Sequence, residues 1–126
     1  MKKKAGLWVD HKECLIVLLG ADTDDAPDTK RIPSNIEFPG QAQSNPAPSN
    51  HRDRQFLVHL ERYYDNVISQ LRDVDSLLIM GPGEAKLEFR KRLAHSGCRA
   101  TLVDVETVGK MTDKQIISKV RKHYTP

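Results

Sequence analysis

The stretch DSLLIMGPGEAKLEF, residues 75–89, decides the fold class of this chain. Its apolar run predicts a short strand over Ser76 to Met80, of the kind that lies centrally in a sheet covered on both faces. Glycine and proline then break the chain, and residues 84–97 follow with a helical pattern that ends near Gly97. A strand, a tight turn and a helix in this order are typical of an α/β protein.

The turn itself admits two interpretations. A helix N-terminus attracts anions, so Gly81, Gly83 and Lys86 are candidates for a small-anion or nucleotide site. However, Pro82 has no N–H to donate, Glu84 adds a negative charge, and the spacing matches neither phosphate-loop motif. Pro-Gly is also a natural type II turn pair in which Gly83 supplies a positive φ. The residues favour a structural corner, and the anion site remains an alternative.

Before this stretch, the sequence predicts three strands. Two β-branched-rich runs, residues 5–10 and 13–20, are joined by His-Lys and indicate a hairpin. Residues 30–38 read as a third strand, at an edge of the sheet because Pro33 cannot donate to a strand ladder.

A low-complexity segment follows, residues 39–50, with three prolines, one glycine and six Gln, Ser or Asn. It is predicted to be a mobile loop, and loops of this length in compact domains are often functional. A helix is then predicted from Arg52 to about Leu71, from apolar residues at three- and four-residue spacing.

After the opening stretch, residues 99–106 predict a further strand, and Thr112 with Gln115 forms a capping box that starts a last helix. The element order is β-β-β-α-β-α-β-α. The fold class is therefore α/β, a single domain over residues 1–126 with a five-stranded mixed sheet and helices on its faces, as in ribonuclease H-like domains.

The charge is uneven along the chain. Residues 84–126 carry ten Lys/Arg against five Asp/Glu, whereas residues 1–83 carry ten against twelve. A basic second half indicates an anionic partner, for which RNA is the candidate, although basic helix faces also occur for solubility alone. The candidate RNA-contacting residues form two clusters, which are Arg90, Lys91 and Arg92, and Lys119, Arg121 and Lys122.

Several classes of site lack support. Cys14 and Cys98 are far apart and have no metal-ligand spacing, so neither zinc nor any other metal or cofactor is expected. Asp10 at the end of the first strand, with Glu61 and Asp65, is a weak nuclease constellation, and Asp10 is better read as a turn residue. No signal peptide or membrane-length apolar run is present, which predicts a cytoplasmic protein with no membrane partner.

The chain resembles the middle domain of the eukaryotic and archaeal class-1 peptide-chain release factors and of their relative Pelota, especially small stand-alone bacterial release-factor-like proteins. The resemblance rests on four segments, LWVDHKECLIVLL, RDRQFLVHLERYYDNV, DSLLIMGPGEAKLEFRKRL and VETVGKMTDKQI. It implies a ribosome or structured RNA as partner, and no DNA.

In release factors, the loop between the third strand and the long helix carries a Gly-Gly-Gln motif that helps position the water that releases the peptide. Here Gly40 and Gln41 match its second glycine and glutamine, whereas Pro39 replaces the first glycine. The proline fixes φ and removes an N–H, and the basic residues that flank the motif are missing. Pelota likewise keeps the domain without the motif.

Three functions follow, in order of preference. The first is a non-catalytic ribosome- or RNA-associated, translation-related module. The second is a peptidyl-tRNA or ester hydrolase that uses Gly40 and Gln41. The third is the anion or nucleotide site at Gly81, Gly83 and Lys86. The sequence does not indicate an oligomeric state.

Overall fold

The computed structural model describes residues 3–20, 27–34 and 50–124, with the backbone alone over 50–55. The predicted element order is confirmed. The strands are β1 Lys4–Val9, β2 Glu13–Leu19, β3 Asp28–Pro33, β4 Ser76–Gly81 and β5 Thr101–Thr107, and the helices are α1 Asn50–Ser69, α2 Ala85–His95 and α3 Asp113–Tyr124.

The five strands form one mixed sheet in the order β3-β2-β1-β4-β5. The first three are joined by antiparallel pairs, and β1–β4 and β4–β5 pair in parallel. The expected edge position of the Pro33 strand is confirmed. That strand begins at Asp28, two residues before the predicted start, because Asp28 and Thr29 still pair with β2. Predicted strand residues 35–38 lie outside the described part of the chain.

Both faces of the sheet are covered, as the apolar run in β4 predicts. Leu77 and Ile79 pack on the face that carries α1 and α2, and the alternate residues Leu78 and Met80 pack under α3. Alternation of side chains along a strand produces this division. The larger of the two hydrophobic clusters lies on the α1–α2 face.

Helix α1 begins at Asn50 and ends at Ser69, two residues earlier at each end than predicted. Its predicted apolar face is buried, and Tyr63 and Tyr64 pack in the core with 4% and 3% of their surfaces exposed. Helix α2 ends before Gly97, whose φ of 78° is the left-handed conformation that favours glycine after a helix.

Helix α3 approaches the sheet closely over β1. A Cβ atom on Gly6 would lie 2.4 Å from Val120 Cγ2, so glycine is required for this packing distance. The predicted capping box is confirmed: Thr112 N–H donates to Gln115 Oε1 (2.9 Å), and Gln115 N–H donates to Thr112 Oγ1 (3.2 Å).

No helix in the described ranges has the length and apolar character required to cross a bilayer.

Candidate functional site

The ends of four strands meet at one edge of the sheet, here called the carboxyl edge. Strands β1, β3, β4 and β5 run in the same direction, so all of them end there. Two described residues contact the β1–β2 turn at this edge. Ser34, after β3, donates its N–H to Lys12 O (2.8 Å), and Phe56 in α1 contacts the His11 ring edge-on at a centroid distance of 6.4 Å. Ligands of α/β proteins commonly bind at this edge.

A cleft of about 800 Å³ opens at the carboxyl edge on the α3 side of the sheet. Trp8 and Met111 contribute its apolar wall, and Lys12 and Lys110 add positive charge. Arg31 also lines the cleft, but its guanidinium is paired with the carboxylates of Glu13 and Asp113. The lining thus carries three cations, including Lys12 and Lys110, against the carboxylates of Asp10, Glu13 and Asp113.

Three side chains from different elements form a hydrogen-bonded chain beside the β1–β2 turn. His11 Nε2 lies 2.9 Å from Glu88 Oε1, and the Tyr64 hydroxyl donates to the same oxygen (2.7 Å). Burial, reinforced by the Glu88 hydrogen bond, raises the pKa of Tyr64, so the phenol stays protonated and remains a donor. The carboxylate fixes the orientation of the imidazole, an arrangement that suits a proton acceptor or an ordered contact surface.

The sequence analysis did not select His11 as a site residue. No spacing rule relates His11 to Glu88, which lies 77 residues away. The sheet topology brings the two residues together. His11 follows β1 and Glu88 lies in the first turn of α2, which follows β4, and these adjacent parallel strands end at the same edge.

Asp10 is a turn residue, as expected. Its Oδ1 accepts hydrogen bonds from Lys12 N–H and Glu13 N–H, both at 2.8 Å. The nuclease constellation does not assemble around it, because Glu61 and Asp65 bind Arg92 instead. Among the described residues, no group of three or more His, Cys, Asp or Glu side chains is arranged to hold a metal.

The glycine corner after β4 is tight, but for a different reason from the one expected. Gly83 does not have a positive φ, since Gly97 is the one described glycine with that conformation. The predicted type II turn is therefore wrong. Glycine is required at position 81, where a Cβ would lie 2.3 Å from Val9 O, whereas nothing lies within 4 Å of a Cβ at Gly83.

Lys86 is part of this corner. Its side chain is 7% exposed, and Nζ donates to Gly83 O at 2.5 Å. An ammonium group that donates to a carbonyl of the turn stabilises the turn and does not project toward an external ligand. The geometry therefore favours the structural corner over the anion or nucleotide site at Gly81, Gly83 and Lys86.

The three predicted RNA-contacting residues on α2 have different surroundings. Arg92 binds Asp65 through Nε (2.8 Å) and Nη2 (2.9 Å), and Glu61 through Nη1 (2.7 Å). The Arg92 hydrogen bond lowers the pKa of the Asp65 carboxyl below its usual range. Arg90 and Lys91 are exposed and carry no ion pair to any described residue. Two of the three predicted RNA-contacting cations on α2 are thus available, and the third joins α2 to α1.

The predicted cluster on α3 lies on the opposite face of the sheet. Lys119 Nζ is 3.4 Å from Glu106 Oε1 of β5, and Arg121 and Lys122 are exposed in the last turn. The structure does not bring this cluster together with the one on α2. Gly40 and Gln41 lie outside the described residues, as does most of the predicted mobile loop 39–50; only Asn50 is described, as the first residue of α1.

Comparison with known proteins finds similarity of fold. No family model matches the sequence, and no curated protein matches it. The Pelota protein of Thermoplasma acidophilum superposes with a TM-score of 0.58 at 16% identity, over 94% of this chain and 31% of its own. The archaeal translation termination factor aRF1 superposes with a TM-score of 0.59 at 16% identity, over 94% of this chain and 33% of its own. The chain spans about a third of each of these proteins.

This likeness confirms the expected fold. A five-stranded mixed sheet with three helices is shared with one domain-sized part of each protein. At this level of identity the comparison establishes the fold, and the function has to be argued from the site.

Proposed function

We propose that the chain is a translation-related module that associates with the ribosome or with structured RNA and that has no catalytic activity of its own. The supporting observation is the fold shared with Pelota and with a translation termination factor over 94% of the chain. The proposal treats residues 1–126 as one domain that acts in the cytoplasm.

The geometry of the carboxyl edge supports the proposal. Segment 35–49 connects Ser34 to Asn50, and both flanking elements contact the β1–β2 turn. A connecting segment between rigid elements is a common position for residues that contact a partner. Proteins commonly place a contact loop in this way.

The charges that would bind phosphates are exposed cations that pair with no carboxylate in the described part of the chain. On α2 these are Arg90 and Lys91, whereas Arg92 is held by two carboxylates. On α3, Lys122 is exposed and pairs with no described carboxylate, whereas Lys119 is shared with Glu106. Phosphate contacts of this kind are independent of sequence and weaken with salt.

Co-sedimentation of the purified protein with ribosomes across a salt series tests the proposal. We expect binding at about 50 mM salt that falls steeply toward about 200 mM, because counterions return to the phosphates. An Arg90→Gln/Lys91→Gln variant should bind roughly tenfold more weakly and with a smaller salt slope, since each lost contact reduces the slope by about 0.7 to 0.9.

A charge-matched control is Lys30→Gln/Lys114→Gln, which removes two exposed lysines from β3 and α3. Arg92 is left in place so that the α1–α2 contact stays intact. Absence of wild-type binding at low salt would refute the proposal. Equal losses in the two variants would refute the assignment of Arg90 and Lys91.

Peptide release is a second candidate, favoured by the position of the His11–Glu88 pair at the β1–β2 turn, which Ser34 and Phe56 both contact. It predicts that the protein releases peptide from loaded ribosomes and that Gln41→Ala abolishes this activity. Gln43→Ala, in the same segment, is the matched control. Activity retained by Gln41→Ala, or lost equally in both variants, would exclude Gln41 as the water-positioning residue.

A further inference from the structure

A second cleft, of about 610 Å³, lies at the opposite end of the sheet from the carboxyl edge. The last turns of α1 and α2 form its walls, and residues 97–99, which lead into β5, form its end. We call it the amino-edge cleft. Of the predicted RNA-contacting residues, Arg92 alone lines it.

The lining of the amino-edge cleft is positively charged. Arg72, Arg92 and Arg99 line it, against Asp65 as its acidic residue. Asp65 is engaged with Arg92 through two hydrogen bonds, of 2.8 and 2.9 Å. Arg72 and Arg99 are exposed and make no ion pair with any described residue, so the cleft carries two uncompensated guanidinium groups.

Several carbonyls near the ends of α1 and α2 already have partners other than these arginines. Cations near a helix C-terminus often compensate unpaired carbonyls. Here the carbonyls of Val67, Ile68 and Leu71 accept backbone N–H groups at 3.0, 2.9 and 3.1 Å. Leu93 O accepts both Ser96 N–H (3.1 Å) and the Ser96 hydroxyl (2.7 Å). Nor do the aspartates that follow Arg72 neutralise it, since Asp73 and Asp75 contact Lys3.

We propose that the amino-edge cleft binds the phosphodiester backbone of RNA through Arg72 and Arg99, with His95 as a further polar contact. Guanidinium groups match the geometry of phosphate oxygens and can bind them in a bidentate manner. The volume exceeds that of one phosphate group, and Ile68 and Cys98 add an apolar wall against which a sugar can pack. The choice of RNA as occupant rests on the proposed function.

Binding of a fluorescently labelled single-stranded RNA, followed by anisotropy across a salt series, tests the inference. An Arg72→Gln/Arg99→Gln variant should lose roughly tenfold in affinity, with a salt slope smaller by about 1.4 for two lost contacts. The Lys30→Gln/Lys114→Gln control removes the same charge outside the cleft and should keep most of the affinity. All four side chains are exposed, so both variants should keep the wild-type circular dichroism spectrum.

Cys98 gives a second measurement inside the same cleft. The chain has two cysteines, of which Cys14 is fully buried, and Cys98 is half-buried in the cleft lining. Burial raises the pKa of the Cys14 thiol, which removes it further from reaction. We expect saturating RNA to slow alkylation of Cys98 severalfold in the wild-type protein. At the same RNA concentration, the Arg72→Gln/Arg99→Gln variant should show little protection.

Several outcomes would overturn the inference. These are equal affinity losses in the cleft and control variants, RNA binding without protection of Cys98, or displacement of RNA by micromolar tripolyphosphate at matched ionic strength. The last result would identify a small-polyphosphate site instead. The ribosome sedimentation series separates this inference from the proposed function. If the wild-type protein binds ribosomes but fails these tests, the proposed function stands and RNA binding in the amino-edge cleft is refuted.

Discussion

At the corner after β4, position 81 is the one at which the fold cannot accept a side chain. A Cβ at this position would meet the backbone oxygen of Val9 at 2.3 Å, and a backbone atom of a central strand cannot move away cheaply. At Gly83, two residues on, a Cβ would meet open space, and the φ angle is not in the left-handed region.

These two glycines therefore make a matched pair. Gly81→Ala should destabilise the protein by about 2 to 3 kcal/mol, as overpacking against a rigid neighbour does. Gly83→Ala should change stability by less than about 1 kcal/mol, and in the stabilising direction, because alanine reduces the entropy of the unfolded chain. Urea unfolding of both variants checks the difference. A larger loss for Gly83→Ala than for Gly81→Ala would contradict the assignment.

The same corner shows what sequence reasoning can and cannot predict for single residues. The Pro-Gly pair indicates a turn, and a turn is present. Which glycine is indispensable depends on how close β1 comes to β4, and no local pattern contains that distance. The capping box of Thr112 and Gln115 could be predicted from the sequence because both residues lie within one helical turn.

Among the elements, α1 and α2 are joined by Arg92, which contacts Glu61 and Asp65 on the neighbouring helix. The cluster Arg90, Lys91 and Arg92 looks uniform in sequence, since helical periodicity describes one helix at a time. Only the packing of α2 against α1 distinguishes Arg92 from Arg90 and Lys91, which form no ion pair within the described ranges.

This ion pair predicts a pH dependence of stability. The pKa of Asp65 in the folded state lies below its ordinary value of 3.8, mainly because of the Arg92 hydrogen bond. Its contribution is therefore present above pH 3.8 and is lost as the pH falls toward the folded-state pKa. Arg92→Gln should lower Tm by roughly 1 to 3 °C at neutral pH, since the pair is exposed, and by less at pH values below the folded-state pKa.

Thermal unfolding of the wild type and Arg92→Gln across this pH range checks the prediction. The Arg90→Gln variant is the control, because Arg90 has no carboxylate partner among the described residues. A stability difference between wild type and Arg92→Gln that did not shrink in acid would contradict the role given to Asp65.

For the whole molecule, both edges of the sheet carry a feature that limits pairing with another chain. Pro33 lies in the edge strand β3, as expected from the sequence. At the other edge, β5 carries a register irregularity opposite Leu77 and Leu78, and Asp104 Oδ1 accepts the N–H of Val105 at 2.9 Å. A carboxylate that accepts a hydrogen bond from a backbone N–H of an edge strand leaves fewer groups there for pairing with another strand.

Asp104→Val should consequently increase self-association. The substitution removes the acceptor of the Val105 N–H, and the new valine lengthens the apolar edge that begins with Val103, which is 42% exposed. Sedimentation velocity over a range of protein concentrations checks the prediction. Asp104→Asn removes the charge but keeps an acceptor, so it should stay closer to the wild type. Identical behaviour of Asp104→Val and the wild type would show that the edge is protected by other means.

The two hydrophobic clusters on the sheet differ in size: 16 buried residues form the one under α1 and α2, and seven form the one under α3. Helix α3 contributes only Ile116 and Val120 to the buried set. Its detachment therefore costs less free energy than global unfolding, and amide protons of α3 should exchange with solvent sooner than those of β1 and β4. We therefore expect the native protein to reach a partly open form in which Trp8 and Met80 are exposed to water while the larger cluster stays folded.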